Sequence, residues 1–396
     1  MPNYKRTRRA CFFTYIAMAA AYILPALLFV TFRESYGVSD TLLGTLVVAN
    51  FCTQLAVDLV FSVFAKHFSI KVTVRLLPII ATVGMAVFAA VPLFFPQYAY
   101  AGLLVGTFIF SVAAGLSEVL ISPLVAALPS DNPGRDMSLL HSIYAWGVLF
   151  VVAVSSVYFL IFGAKNWPYL ALGFAALPMI LLVLFCISPL PDMKLGHGGE
   201  SKKSGRFGIG IWLCVLCIFL GAAAEAAMTN WISAYLESSL QIPKLWGDIL
   251  GLALFAVLLG AGRVLYAKFG KNISSALLFG MLGASVCYLV AGLFPVPAVS
   301  MVACVLTGFC TSMLWPGTLI LMEEKFPCPG VAAYALMAAG GDLGCSLAPQ
   351  ILGVISDASD MKIAMTVSAL FPILGIAVVL IIRKYFKNAV KKEAKK

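Results

Sequence analysis

Six ionisable side chains interrupt the long apolar stretches of this chain: Asp58, Glu118, His141, Glu225, Arg263 and Asp342. A charge in hydrocarbon is costly, so such groups face a cavity or a partner and mark solute or proton pathways. Glu118 lies in the run AGLSEVLISPLV, ten residues from the cytoplasmic end of its helix. At about 1.5 Å per residue it sits about 15 Å deep, near a bilayer midplane. A carboxyl group there is a candidate to take up and release a proton; the alternative is an acid kept permanently neutral by a hydrogen bond to a neighbouring helix. Pro123, five residues on, weakens the helix locally.

Glu225 lies in GAAAEAAMTNWISAYLE, where small neighbours let a helix or a solute approach closely. Asn230 and Trp231 follow, and carboxylate, amide and indole together suit a sugar, with the indole stacked on its apolar face. A Trp near a span end also serves as an interface anchor. His141 and Tyr144 share a face at the start of the fifth span, about 7 Å from the cytoplasmic end, and fit substrate contact or inner-gate hydrogen bonding. Asp342, in AAGGDLGCS, lies about 18 Å into its span, serving either function or packing. Glu118, Glu225 and Asp342 are the proton-coupling candidates. Asn50, Gln54, His141, Tyr144, Asn230, Trp231 and Trp315 join Glu118 and Glu225 as substrate-binding candidates. Asp58 and Arg263 read as gate residues in salt bridges, because arginine keeps its charge and needs a partner.

What must position these groups is a set of membrane helices. The chain has 396 residues, 62% hydrophobic and 11% charged, against about 25% charged in a soluble domain. Such a composition excludes a disordered chain, a disulfide-rich secreted module and an ordinary soluble enzyme. About 20 helical residues cross a hydrocarbon core, and twelve apolar runs qualify: 10–32, 41–65, 73–95, 98–128, 138–162, 168–188, 208–235, 246–267, 273–294, 297–321, 331–355 and 363–382. The first is too long for a signal peptide and has further spans behind it. With the N-terminus cytoplasmic, 22 of the 27 Lys and Arg fall on the cytoplasmic side, four fall outside and Arg263 lies within a span. This positive-inside bias places both termini in the cytoplasm of a cell-membrane protein. It also accounts for the +10 charge without nucleic acid. The basic tail lies against anionic lipid or simply ends the last span in solvent.

Nine of the ten cysteines, all but Cys328, lie in apolar runs, and Cys214 and Cys217 form a CxxC with no second pair. They argue neither for a metal nor for redox work. No phosphate-binding loop, zinc motif or nucleophile–base arrangement appears, so neither ATP nor a cofactor is expected and no enzyme is indicated.

The polar, Gly-rich stretch PLPDMKLGHGGESKKSGR divides the chain. It suggests an N-terminal six-helix bundle over 1–189, a cytoplasmic linker over 190–206 and a C-terminal bundle with a basic tail over 207–396. The halves repeat weakly. Glu34 and Gly44 match Glu237 and Gly247 at an offset of 203, and Gly115 and Pro123 match Gly308 and Pro316 at 193. Parallel repeats of this kind surround a midplane site in many secondary transporters.

Twelve helices as six plus six, the basic central loop and the basic connection Ser62-Val-Phe-Ala-Lys66-His-Phe-Ser69-Ile-Lys71 resemble the major facilitator superfamily. The acid and both glycines of that connection's usual signature, Gly-x-x-x-Asp-Arg-x-Gly-Arg-Arg, are replaced here. Within the superfamily, the fourth span resembles that of fucose permease-like sugar/proton symporters, where a mid-helix glutamate precedes a proline, as Glu118 precedes Pro123. The resemblance implies an all-α fold of two pseudo-symmetric bundles, a monomer, and Glu118 as the proton-coupling acid. That group also uses an acid in its first helix. The first span here has none, so Glu225 or Asp342 takes the second role or coupling differs. The expected function is proton-coupled symport of a small polar solute such as a sugar, driven by the proton gradient. The alternative is a drug or organic-cation/proton antiporter, because three buried acids would attract a cation.

Overall fold

The computed structural model describes residues 4–64, 68–129, 133–191, 208–326 and 331–393. Every regular element among them is helical. Most of the linker expected over 190–206 lies outside the described residues. The first half contains α1 (Lys5–Leu27), α2 (Phe29–Tyr36), α3 (Asp40–Phe64), α4 (Ile70–Phe94), α5 (Ala99–Ala126), α6 (Pro133–Phe162), α7 (Trp167–Phe174) and α8 (Ala176–Ile187). The second contains α9 (Ile209–Ser238), α10 (Lys244–Trp246), a π-helical segment (Gly247–Ala253), α11 (Leu254–Phe269), α12 (Ile273–Leu293), α13 (Pro297–Thr311), α14 (Leu314–Lys325), α15 (Val331–Ala358), α16 (Met361–Ser368) and α17 (Leu370–Glu393).

Joined end to end, these pieces give the twelve spans of the two-bundle architecture. Among the described residues, ten stretches are long and apolar enough to cross a bilayer, and Trp146–Phe162 is a shorter apolar helix. The 28-residue α15 supplies the twelfth crossing.

Several spans read as continuous are jointed. Three joints share one device: Pro178, Pro316 and Pro372 each stand third in the helix that resumes after the break. Proline lacks an N–H, and the first turn of a helix has no intrahelical use for one. The residue type that would break the interior of a helix therefore restarts one here without cost.

The chain folds into two compact units, one comprising Met1–Ser39 and Ala49–Gly198, the other Asp40–Val48 and Gly199–Lys396. In the first unit, α4 and α5 interlock through glycine: a Cβ at Gly84 would overlap Phe110, and one at Gly106 would overlap Phe88. Phe32, Phe88 and Trp167 meet edge to face in the same core, with centroids 5.1–6.0 Å apart. In the second unit α15 packs on α9, where Gly340 meets Val215 and Gly344 meets the Phe219 carbonyl. Small residues permit such close approach, which replaces the hydrophobic drive that is missing between helices in lipid. The matched glycines have matched duties: Gly115 of α5 lies against Gln54 and Val57 of α3, and Gly308 of α13 lies against Phe255 of α11.

The second unit also includes the first turns of α3. Both oxygens of Asp357 accept backbone N–H groups there, Asp40 at 2.9 Å and Thr41 at 2.6 Å. The Ser356 hydroxyl donates to Asp40 Oδ2 at 2.7 Å. A carboxylate at the positive end of α3 thus satisfies donors that its own helix leaves unmet.

Candidate functional site

In the first unit, polar groups gather where α1, α3 and α5 meet. Tyr22 of α1 donates its hydroxyl hydrogen to Gln54 Oε1, and Gln54 Nε2 donates to the Asn50 carbonyl at 3.3 Å. The Ser111 hydroxyl of α5 lies 2.6 Å from Asn50 Oδ1. Tyr22 stacks on Phe51 and meets Tyr144 of α6 edge-on, both at 6.1 Å. Asn50 and Gln54, expected to touch substrate, are buried and bonded within the unit. Their role in the observed fold is to join α3 to α1 and α5. Tyr144 is half-buried beside them.

One turn beyond Gln54 lies Asp58, and one turn beyond Gly115 lies Glu118. The close approach at Gly115 brings these two carboxyl groups within electrostatic reach of each other. Glu118 has an exposed side chain although protein surrounds it densely. Asp58 Oδ1 is buried without a hydrogen-bond partner. The side chains of His141 and Pro123 lie outside the described ones; the helices α6 and α5 run through both positions.

The second unit holds an ion pair. Glu225 Oε1 of α9 lies 3.4 Å from Arg263 Nη2 of α11. Arg263 Nε donates to the Ser312 carbonyl at 3.0 Å. Ser312 is the residue at which α13 breaks before α14, so the guanidinium sits on the negative end of α13. The salt-bridge partner of Arg263 is thus Glu225 of its own unit. Tyr288 of α12 donates to the carbonyl of Ala224, next to Glu225, at 2.6 Å.

Asn230 is half-buried and its Nδ2 donates to the Ala226 carbonyl at 2.9 Å. Trp231, expected to stack on a sugar, is wholly buried, and its indole N–H donates to the Pro349 carbonyl at 3.0 Å. In the observed fold it packs, and six residues from Glu225 it points about 120° away from that side chain. Trp315 is half-buried with its ring against Gly341, and the adjacent Asp342 is 5% exposed.

A second ion pair escaped the reading of the sequence. Asp248, in the π-helical segment, is fully buried, accepts from the Ser233 hydroxyl and lies 3.3 Å from Lys244 Nζ. Lys244 also lies 3.8 Å from Glu237. The i,i+4 spacing of Lys244 and Asp248 was the available signal. Among the described residues no cluster of three or more His, Cys, Asp or Glu could hold a metal ion.

Jointed apolar helices in two units, each with ionisable groups inside it, define a multi-pass membrane transporter. Residues 10–349 match the Major Facilitator Superfamily, and the chain belongs to that family. No curated protein matches it by sequence. Among solved structures, it is similar to a D-xylose-proton symporter, with TM-score 0.79 and 14% identity over 96% of this chain and 97% of that one. A bacterial homologue of the human lysosomal transporter Spinster aligns with TM-score 0.76 and 12% identity, over 96% of each chain. The E. coli fucose:proton symporter aligns with TM-score 0.64 and 15% identity, over 96% of this chain and 98% of that one. At these identities the likeness is one of fold.

Proposed function

We propose that the chain is a secondary active transporter that couples protons to the movement of a small polar solute, a sugar or related polyol, by alternating access. The observation that carries this reading is Glu118: an accessible carboxyl group inside the first unit, beside the unpartnered oxygen of Asp58. Two carboxyl groups within electrostatic reach of each other repel when both are ionised, which suits proton uptake by one of them. A proton on this pair would neutralise it and permit the loaded carrier to reorient; its loss on the other side would release the solute. The proton gradient is the driving force and no cofactor takes part. The distant fold relatives named as xylose and fucose proton symporters support the same reading. The positive-inside bias of the basic residues supports reading the chain as a cell-membrane protein with both termini in the cytoplasm, acting as a monomer.

The test is uptake into proteoliposomes with an imposed pH gradient. Glu118→Gln should abolish uphill accumulation while leaving solute exchange. Uphill accumulation at the wild-type rate in that variant would sink the mechanism.

The Asp58–Glu118 pair also favours a second reading, export of an organic cation in exchange for protons, because two carboxylates attract a cation. Proton release on adding a lipophilic cation to loaded vesicles, with no response to sugars, would select it.

A further inference from the structure

We propose that the solute is an anion carrying one carboxylate, a sugar acid, and that its carboxylate replaces Glu225 on Arg263 when Glu225 takes up a proton. The inference rests on the reading of the chain as a proton-coupled carrier of a small polar solute. It names the chemistry of what is carried.

The first argument is geometric. Arginine presents its donors as a rigid fork that matches a carboxylate through two parallel bonds. Arg263 spends Nε on the Ser312 carbonyl, which fixes where the guanidinium sits. Glu225 reaches it through a single oxygen at 3.4 Å, well beyond the 2.7–2.9 Å typical of a charge-assisted bond. The site is therefore positioned but poorly filled. The side chains are 33% and 22% exposed, so neither partner of the pair is sealed in the core.

The second argument is charge balance. Empty, the ionised pair sums to zero. A proton on Glu225 together with a neutral solute would leave the guanidinium uncompensated within the membrane, an expensive state. A proton together with a monoanion leaves the sum unchanged. The Arg263 site then carries equal charge loaded and empty, so the proton on the Asp58–Glu118 pair is the only net charge that moves with the solute.

The surroundings do not alter the balance. Other titratable groups of the unit include Tyr288 and Cys287 on α12, Cys304 and Cys310 on α13, and Asp342 and Cys345 on α15. From α11 comes Tyr266, and from the π-helical segment Asp248, already bonded to Lys244. Lys268, Glu324, Lys325, Lys362, Arg383, Lys384 and Lys387 stand near the ends of their helices. All these groups enter loaded and empty states alike. Tyr288 reaches the residue beside Glu225, its hydroxyl donating to the carbonyl of Ala224.

The experiment is a thermal-shift titration of the purified full chain at an acidic and an alkaline pH. The probes are D-gluconate, D-glucuronate and D-galactonate against D-glucose and D-galactose, with a lipophilic cation as the third set. Ligand that binds the folded state raises the transition by mass action. The sugar acids should stabilise the wild type, more strongly at acidic pH. Arg263→Lys, which keeps the charge but loses the fork, should weaken them about tenfold or more. Glu225→Gln should bind them equally at both pH values. Glu225→Gln also guards against misfolding of the arginine variant, since a pH dependence surviving in it overturns the proposal. Neutral sugars stabilising wild type and Arg263→Lys alike would overturn the anion assignment while leaving proton-coupled solute transport standing. Stabilisation by the cation alone, or by none of the probes, would reject both.

Discussion

Tyr22 and Glu225 stand 203 positions apart, the offset that also separates Glu34 from Glu237 and Gly44 from Gly247. Each ties the first span of its unit to the second, Tyr22 through Gln54 on α3 and Glu225 through Arg263 on α11. The repeat thus preserves a bonded position while its chemistry differs, a neutral pair in one unit and a charged pair in the other.

Removing the neutral bond should cost little but measurably. Tyr22→Phe deletes the donor and strands Gln54 Oε1, which is buried. Hydrogen bonds between membrane helices are worth about 0.6 kcal/mol on average and about 1.7 at most. The expected loss is about 1 kcal/mol, read as a lower thermal transition of the detergent-solubilised protein. An unchanged transition would show that the bond contributes nothing.

Lys244 matters far more than an outer-loop lysine should. With Asp248 fully buried beside it, Lys244→Met strands a carboxylate, and breaking a buried pair costs about 3–5 kcal/mol. Adding Asp248→Asn to that variant should restore most of the lost stability. A double variant no more stable than Lys244→Met alone would contradict the account.

Trp231→Phe distinguishes packing from substrate contact. The indole N–H bonds Pro349 within the core, so the variant should lose about 1 kcal/mol of stability with the solute KM unchanged. A raised KM at unchanged stability would return Trp231 to the solute pathway.

The twelve spans were legible because runs of apolar residues about 20 long have few other meanings. Their joints were not, because both sides of each break remain apolar and a proline three or four residues past it does not mark the break itself. Glu118, Glu225 and Arg263 stood out as ionisable groups in hydrocarbon. The partner of Arg263 did not, because Glu225 lies 38 residues away on another helix. Asp58 beside Glu118 was implicit in the glycine at Gly115, which brings their helices together. Sequence proximity to Glu225 does not fix the direction of Trp231, and side-chain direction around the helix separates the two.

The tightest helix contacts should be the least forgiving. Gly344→Leu would drive a side chain into the Phe219 carbonyl and the Ala223 amide nitrogen. Overpacking typically costs about 1–3 kcal/mol, and backbone cannot yield as a side chain can, so the yield of folded protein on size exclusion should fall sharply. A normal monodisperse peak would show that α15 can draw back from α9.

The glycine-locked pairs have a mechanical corollary. Where α4 and α5 mesh at Gly84 and Gly106, neither rod can slide past the other without collision. Bending is eased instead at interruptions such as Ala175, Ser312 and Ala369. At the middle one, Arg263 grips the free carbonyl, so whatever loosens that grip also unlocks the joint.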